Sequence, residues 1–223
     1  MITDVFIVGL AGASGTGKST VTKRVAHRLN GHVISMENYS IVTNDLPFEE
    51  RAKENYDAPY AIDVTLLEQH IRDYAAGRVI EVPICDFANH LRVSDQQVHI
   101  PASSLLIVEG ILALHFEQLR RHFDLSIYLE APDEVCFHRR KVRDITERQR
   151  PLEFIEAQYN DRVLPAAREY LLPSRVFADQ VLDSGADLSI VEKNLYDAIV
   201  QRRALARLPE HSAGTAGVIV KTP

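Results

Sequence analysis

Nine residues near the start of the sequence, GASGTGKST, contain three glycines and end in a lysine followed by two hydroxyl-bearing residues. Glycines let a backbone curl so that successive N–H groups point into one concavity, which suits a phosphate group. Lys18 can then reach the β- and γ-phosphates of a nucleotide, and the Ser19 hydroxyl can ligate Mg²⁺. The spacing matches the pattern G-x-x-x-x-G-K-[ST]. We therefore expect ATP and Mg²⁺ to bind at Gly12, Ala13, Ser14, Gly15, Thr16, Gly17, Lys18, Ser19 and Thr20.

A carboxylate ends a second apolar run, LLIVEG, at Glu109. In open α/β sheets the carboxyl ends of parallel strands face the crevice where ligands bind. Glu109 is therefore the expected partner of Ser19 in the Mg²⁺ site, although charged residues also end strands without any function.

An arginine-rich segment, HRRKVRDITERQR (138–150), carries six Lys or Arg residues and two acids. On an isolated helix such charges form solvated pairs, for example Arg143 with Glu147 at i,i+4. Beside a triphosphate, guanidinium groups can instead stabilise the charge on a transferring phosphoryl group and exclude water. We expect the second role, with a lid at about 138–152.

The elements that would position these residues follow from the alternation of short apolar runs with longer amphipathic segments, which is typical of a parallel sheet covered by helices. Five strands are predicted, at Val5–Leu10, His32–Met36, Leu105–Gly110, Ser126–Glu130 and Asp179–Asp183. Helices are predicted at Lys18–Leu29, Asp63–Ala76, Asp133–Ile145, Leu152–Tyr170 and Leu188–Leu205. Pro165 is expected to bend or end the fourth helix. A strand before the glycine-rich stretch and a helix after it favour a phosphate-binding loop over a turn that only reverses the chain.

Two regions fall outside this alternation. Short extended pieces without helical period at about 78–100 predict a small β insertion over one edge of the core. Turn-rich residues 208–223 predict a flexible C-terminal tail. The domain organisation expected is one α/β domain at 1–207 followed by that tail.

Composition bounds the function further. The chain has 223 residues, a net charge of −6 and two cysteines without metal-like spacing. This predicts a protein of a reducing, cytoplasmic compartment rather than a nucleic-acid-binding protein. An apolar stretch of about 20 residues, as needed to span a bilayer, does not occur in the sequence, so no membrane association is expected.

Several stretches together resemble the uridine kinase (uridine–cytidine kinase) family, a branch of the P-loop kinases near phosphoribulokinase. The resemblance runs from about Phe6 to about Leu205. The phosphate-binding pattern alone is shared by many families, whereas DFxxHxR and RRxxRDxxERxR are far more specific. The stretches, in chain order, are GASGTGKST, NYDAPYAID, PICDFANHLR, IVEGILAL, RRKVRDITERQR and EAQY.

The resemblance implies a P-loop NTPase fold similar to the nucleoside monophosphate kinases, and transfer of the ATP γ-phosphate to the 5′-hydroxyl of a pyrimidine ribonucleoside. Glu37 then matches the catalytic base and metal-associated carboxylate, and Asp57 the acid that grips the ribose hydroxyls. His90 matches the histidine at the pyrimidine edge, and Tyr56 an aromatic ring beside the nucleoside. Cations and a carboxamide complete the match: Arg140, Arg143 and Arg148 between phosphates and sugar, with Arg150 and Gln158 on the nucleoside side.

The sequence departs from the family pattern on the acceptor side. Glu37 replaces the usual Asp, and its additional methylene displaces the carboxylate by about 1.5 Å. Ser40 and Cys85 each stand where the family usually has Tyr, which removes aromatic area and hydroxyl groups that would read the base. The acceptor can therefore also be another nucleoside or a sugar phosphate, and a nucleotide-binding regulatory protein with little turnover is a third hypothesis. The choice between ATP and GTP stays open, and so does a homo-oligomer, since relatives often form one.

Overall fold

The computed structural model describes residues 4–41, 45–185 and 187–206, with the backbone alone at 94 and 95. The tail predicted at 208–223 lies outside the described residues. The described ranges contain seven strands: β1 (Phe6–Gly12), β2 (His32–Ser35), β3 (Ile80–Asp86), β4 (Leu91–Ile100), β5 (Leu105–Glu109), β6 (Leu125–Glu130) and β7 (Gln180–Asp183).

A five-stranded sheet with the order β2-β5-β1-β6-β7 forms the centre of the molecule. Each neighbouring pair of strands runs parallel. All seven residues of β1 and all five of β5 are buried, which explains their nearly continuous apolar sequence. The predicted α/β fold with a five-stranded parallel sheet is confirmed.

The helices in the described ranges are α1 (Lys18–Arg28), α2 (Phe48–Arg51), α3 (Val64–Ala75), α4 (Glu117–Arg120), α5 (Asp133–Thr146), α6 (Leu152–Gln158), α7 (Leu164–Ala166), α8 (Leu172–Ser174) and α9 (Leu188–Ala206). The Asp63 carboxylate accepts a 3.1 Å hydrogen bond from the backbone N–H of Leu66 and so caps the start of α3. Just beyond the end of α3, Gly77 has a φ of 78°, a left-handed conformation that glycine adopts without strain.

Helices cover both faces of the sheet. On one face, Val21 of α1 and Leu195 of α9 pack in the same buried cluster as Leu10 of β1. On the other face, Ile71 of α3 packs in a buried cluster with Val108 of β5. Burial of these apolar side chains is the main stabilising contribution to the sheet and holds the loops at its carboxyl edge in place.

The helical backbone continues from α6 through α8, so it does not end at Pro165, which was one of the two outcomes that the sequence predicted. Two π-helical turns, Tyr159–Val163 and Ala167–Leu171, join the three α-helical pieces. A π-helical turn changes the hydrogen-bond register locally, which accommodates the N–H that proline lacks. Pro165 lies in α7, directly after the first of these π-helical turns.

Strands β3 and β4 form a separate antiparallel hairpin within the segment expected to be a β insertion. The register of the pair shifts between Pro83 and Cys85, which marks a bulge. The hairpin turn ends at His90, whose φ of 52° lies in the left-handed region. Such irregularities turn side chains away from the regular alternation of a strand.

Candidate active site

The phosphate-binding turn lies between β1 and α1, as its sequence predicts. Gly12 ends β1, and the helix begins at Lys18 after two glycines, Gly15 and Gly17, that each have a φ of 92°. A Cβ atom on Gly15 would lie 2.1 Å from the carbonyl oxygen of Cys136, so this position has no room for a side chain. The backbone is therefore fixed in a curl whose N–H groups share one concavity.

The side chains of the turn differ in exposure. Lys18 is buried, and its Nζ donates a 3.0 Å hydrogen bond to the carbonyl oxygen of Ala13, which holds the ammonium group across the turn. Thr16 is buried and its hydroxyl donates to the same oxygen over 2.8 Å. Ser19 and Thr20 are exposed on the first turn of α1.

Ser19 and Glu109 meet at the carboxyl edge of the sheet. The Ser19 hydroxyl donates a 2.9 Å hydrogen bond to Oε1 of Glu109, although the two residues lie 90 positions apart. Glu109 is only 3% exposed, and burial raises the pKa of its carboxyl despite the nearby Lys18 ammonium. A buried carboxylate beside a hydroxyl supplies the hard oxygen ligands that Mg²⁺ prefers, with phosphate oxygens and water completing its shell.

Glu37 lies at the same edge because β2 pairs with β5 so that Ser35 is opposite Glu109. A 3-10 turn, Met36–Tyr39, follows β2 and carries the Glu37 side chain, which is 40% exposed. Its charge contributes to the raised pKa of Glu109. The three oxygen-bearing side chains expected at the metal are thus gathered at one edge of the sheet.

A cleft that is partly open to solvent lies beside the turn. Lys18, Ser19 and Glu109 are not among its lining residues. Every residue that the sequence assigned to the acceptor lines it: Tyr56, Asp57, Cys85, His90, Arg140, Arg150 and Gln158. Ser14, Glu37, Arg143 and Arg148 from the phosphate side line it as well.

The Tyr56 and His90 rings stack in the cleft wall, with centroids 4.9 Å apart and planes inclined by 12°. His90 is 8% exposed, and its Nε2 lies 3.1 Å from an Nη2 donor of Arg150. Burial and the neighbouring arginines lower the pKa of His90 to about 4. The imidazole is therefore neutral at physiological pH, with Nε2 as an acceptor and Nδ1–H as a donor.

Asp57 has a half-buried carboxylate on the same wall. Burial raises its pKa, while the charges of Arg140, Lys18 and Arg143 act in the opposite direction. Proximity to charges from both the turn and the arginine-rich segment places this carboxylate between the two halves of the site.

Ser40 and Cys85, the two residues that depart most from the family pattern, both contact the backbone around Glu37. The Ser40 hydroxyl donates to the carbonyl oxygen of Glu37 over 2.8 Å, and Sγ of Cys85 lies 3.3 Å from the carbonyl oxygen of Asn38. Burial raises the pKa of the Cys85 thiol to about 11, so it stays protonated at neutral pH. These two side chains give the cleft a small, weakly polar patch.

The arginine-rich segment spans α5 and the following loop, and its guanidinium groups connect the two sides of the cleft. Arg140 donates to Ser14 of the turn over 2.8 Å and to Oε1 of Gln158 over 2.7 Å. Arg148 lies 4.0 Å from a carboxylate oxygen of Glu37. Arg150 donates a 2.8 Å hydrogen bond to the carbonyl oxygen of Phe87 in the hairpin turn.

Asp144 is the residue in this site that the sequence analysis did not single out. Its carboxylate is fully buried and pairs with Arg143 over 2.7 Å, whereas the alternative pair of Arg143 with Glu147 is not formed. Helical spacing could have revealed it, because Asp144 lies four residues after Arg140 and four before Arg148.

Comparison with known proteins decides the family. The family model described as "Phosphoribulokinase / Uridine kinase family" matches residues 7–191. This chain belongs to the phosphoribulokinase/uridine kinase family. A uridine kinase from Macrococcus caseolyticus (strain JCSC5402) is 37% identical over 187 residues, which cover 82% of this chain and 90% of that protein. A uridine kinase from Bacillus subtilis (strain 168) is 37% identical over 182 residues, covering 80% and 86%.

Solved structures agree on the fold of this family member. Phosphoribulokinase from Rhodobacter spheroides superposes with a TM-score of 0.58 at 13% identity, covering 82% of this chain and 73% of that one. The resemblance found in the sequence is confirmed, and the chain is a kinase that uses ATP as phosphate donor and a small molecule as acceptor. Among the described residues, no helix combines the length and apolar character that crossing a membrane requires.

Proposed function

We propose that this kinase transfers the γ-phosphate of ATP to the 5′-hydroxyl of a pyrimidine ribonucleoside, uridine or cytidine. The observation that carries the proposal is the cleft itself, because one continuous wall joins Ser14 of the phosphate turn to Asp57 and His90 of the acceptor set. Arg140 also joins the phosphate side to the acceptor side, because it donates hydrogen bonds to both Ser14 and Gln158. The curated relatives are named uridine kinase, which agrees with this acceptor.

On the acceptor side, Glu37 is the proposed general base. Its half-exposed carboxylate lines the cleft and can accept the proton of a hydroxyl that comes within hydrogen-bond reach. Asp57 is proposed to accept hydrogen bonds from two neighbouring ribose hydroxyls, which fixes the sugar and aims its 5′-hydroxyl. Glu37 can take up a proton only when it is ionised, whereas the Asp57 carboxyl accepts hydrogen bonds in either state and most strongly when ionised.

The neutral His90 ring, held by the Tyr56 stack, is proposed to read the polar edge of the pyrimidine. A neutral imidazole offers one donor and one acceptor, whereas a protonated one would offer only donors. Arg150, Gln158 and Cys85 are proposed to line the rest of the nucleoside site.

On the phosphate side, Lys18, Arg143 and Arg148 are proposed to stabilise the negative charge that spreads over the transferring phosphoryl group. Ser19, Glu109 and Glu37 would hold Mg²⁺, and their oxygen atoms fit that ion. When bound, Mg²⁺ neutralises phosphate charge and orients the β- and γ-phosphate oxygens. The backbone N–H groups of Gly12–Thr20 would bind the remaining phosphate oxygens.

The proposed organisation assigns the hairpin region, about 78–100, to the acceptor site and residues 138–152 to a lid that excludes water during transfer. Residues 1–207 are proposed as the kinase domain, whereas 208–223 lie outside the described residues. A reducing, cytoplasmic location is supported by the free thiols of Cys85 and Cys136. The net charge of −6 supports a small-molecule acceptor rather than a nucleic acid.

A coupled assay of ADP formation tests the proposal. The purified protein is given ATP, Mg²⁺ and, one at a time, uridine, cytidine, adenosine, guanosine, ribose 5-phosphate and ribulose 5-phosphate. We expect uridine and cytidine to accelerate ADP formation most. Acceleration by another compound and not by these two would contradict the proposed acceptor while leaving the kinase activity in place.

A kinase for a different hydroxyl-bearing small molecule is the second candidate, and the small patch formed by Ser40 and Cys85 is what favours it. The panel above separates the two candidates directly. A regulatory protein with little turnover is tested by Glu37→Asp: if the additional methylene of Glu37 prevents transfer, Glu37→Asp raises a low wild-type rate. High wild-type turnover would rule out that hypothesis.

A further inference from the structure

Four guanidinium groups converge on the carboxylate of Asp144. Its Oδ1 atom lies 2.8 Å from Nε and 2.7 Å from an Nη of Arg143, and 3.4 Å from an Nη of Arg148. Its Oδ2 atom lies 3.4 Å from an Nη of Arg150 and 3.7 Å from Nε of Arg140. Asp144 itself has no exposed surface and does not line the cleft.

The two oxygens face different pairs of arginines. Oδ1 pairs with Arg143 and Arg148, which were assigned to the phosphates. Oδ2 faces Arg150, which reaches the carbonyl oxygen of Phe87 and the His90 ring, and Arg140, which bridges Ser14 of the phosphate turn and Gln158 of the acceptor side. One carboxylate thus touches both sets.

Electrostatics explains why this arrangement needs an anion. Burial is the largest cause of the lowered pKa values of Arg148 and Arg150, and repulsion among the neighbouring guanidinium groups adds to it. The charges of Arg143, Arg148 and Arg140 outweigh the desolvation of Asp144 and lower its pKa, so its carboxylate is ionised. Without it, no described acid is positioned to hold all four groups together.

We propose that Asp144 is a positioning residue that links nucleotide binding to acceptor binding by holding the phosphate-side and acceptor-side arginines in one cluster. It does not touch either substrate. This inference rests on the proposed function, since the two sets of arginines are defined by that site. The linkage means that a change at Asp144 disturbs binding of both substrates, whereas a change at Arg143 or Arg150 chiefly disturbs binding of one of them.

Asp144→Asn tests the role, with Glu134→Gln as matched control. Both variants remove one negative charge from α5, but Glu134 is exposed and lies outside both the cluster and the proposed lid. The amide of Asn places a donor against two of the four guanidinium groups, so we expect kcat to fall by about 100-fold and the KM values for ATP and uridine both to rise. Glu134→Gln is expected to stay within about two-fold of wild type. An unchanged kcat, or a rise in only one KM, overturns the proposal.

A double-mutant cycle covers the case in which Asp144→Asn does not fold. Arg143→Gln and Arg150→Gln each remove one guanidinium from opposite oxygens of Asp144. If the carboxylate links them, the double variant loses less kcat than the product of the two single losses. Agreement with that product within about two-fold would mean that the two arginines act independently, and would contradict the linkage.

Wild-type turnover of uridine is measured first, so that failure of the proposed acceptor is recognised separately. The crystal structure of Asp144→Asn then tests positioning without any acceptor. We expect at least one arginine from each pair to leave its place. Four guanidinium groups at unchanged positions would show that Asp144 does not hold them.

Discussion

Ser19 and Glu109 form a 2.9 Å hydrogen bond between a hydroxyl of the first turn of α1 and a carboxylate buried at the end of β5. This contact joins the phosphate turn to the neighbouring strand. Burial disfavours the charged form of this carboxylate and raises its pKa, although the Lys18 ammonium acts in the opposite direction.

Glu109→Gln should therefore stabilise the folded protein while it lowers the activity. Because the pKa of Glu109 is raised, its neutral form is favoured in the folded protein, and this contribution is lost as pH rises through the folded pKa. At pH 7.5 without nucleotide, Glu109→Gln is expected to raise the Tm, and the difference from wild type should shrink as pH falls. Its kcat with Mg²⁺ should drop by at least about 100-fold. A lower Tm together with normal kcat would contradict both parts.

Gly15→Ala should abolish nucleotide binding. The new Cβ would collide with the carbonyl oxygen of Cys136, and the residue would also occupy a left-handed conformation. Gly77→Ala is the matched control, because Gly77 also has a positive φ but a Cβ there meets no atom within 4 Å.

Gly77→Ala is expected to cost about 1–2 kcal/mol of unfolding free energy and leave kinetics unchanged. Calorimetric titration with ATP and Mg²⁺, combined with urea unfolding, measures both quantities. Equal ATP affinity for the wild type and Gly15→Ala would show that the turn does not bind phosphate as described.

Asp57→Asn should weaken binding of the acceptor more than binding of the nucleotide. Loss of a charged acceptor for ribose hydroxyls costs about 1.5–3 kcal/mol, which corresponds to a rise of about 10- to 100-fold in the KM for uridine. The KM for ATP should change little, because the turn is intact. Asp161→Asn, at an exposed position of the π-helical segment, serves as control. Steady-state kinetics in which the KM for ATP rises as much as that for uridine would argue against a sugar-binding role.

Protonation of His90 should make the folded protein less stable in mild acid than at neutral pH. Its pKa of about 4 lies below the ordinary value of 6.5, so the neutral ring contributes stability above pH 6.5 that is lost as pH falls toward 4. The loss amounts to about 3.5 kcal/mol at most, since each pH unit of this span is worth about 1.4 kcal/mol, and screening by solvent reduces it.

His90→Asn tests this sign, because Asn tolerates the left-handed φ of this position but does not titrate. Urea unfolding at pH 7.5, 6 and 5 should show a smaller loss of stability for His90→Asn than for wild type. Parallel losses in the two proteins would mean that His90 titrates as an exposed histidine does.

The sequence predicts the local parts of this site well and the long-range contacts poorly. The turn from Gly12 to Lys18 follows from its own residues, and Ser19 near Glu109 follows from the rule that parallel strands end at one edge. The hydrogen bond from Arg140 to Ser14 joins residues 126 positions apart and depends on how α5 packs against the turn. The role of Asp144 was hidden because acids are common between arginines on solvated helices.

Phosphorus NMR of the product formed from uridine, ATP and Mg²⁺ tests the central claim most directly. We predict one new phosphomonoester resonance, coupled to the 5′ protons of the ribose, that grows in equal amount with ADP and is absent with Lys18→Ala. Formation of ADP without any phosphorylated uridine, or a phosphate on another hydroxyl, would contradict the account.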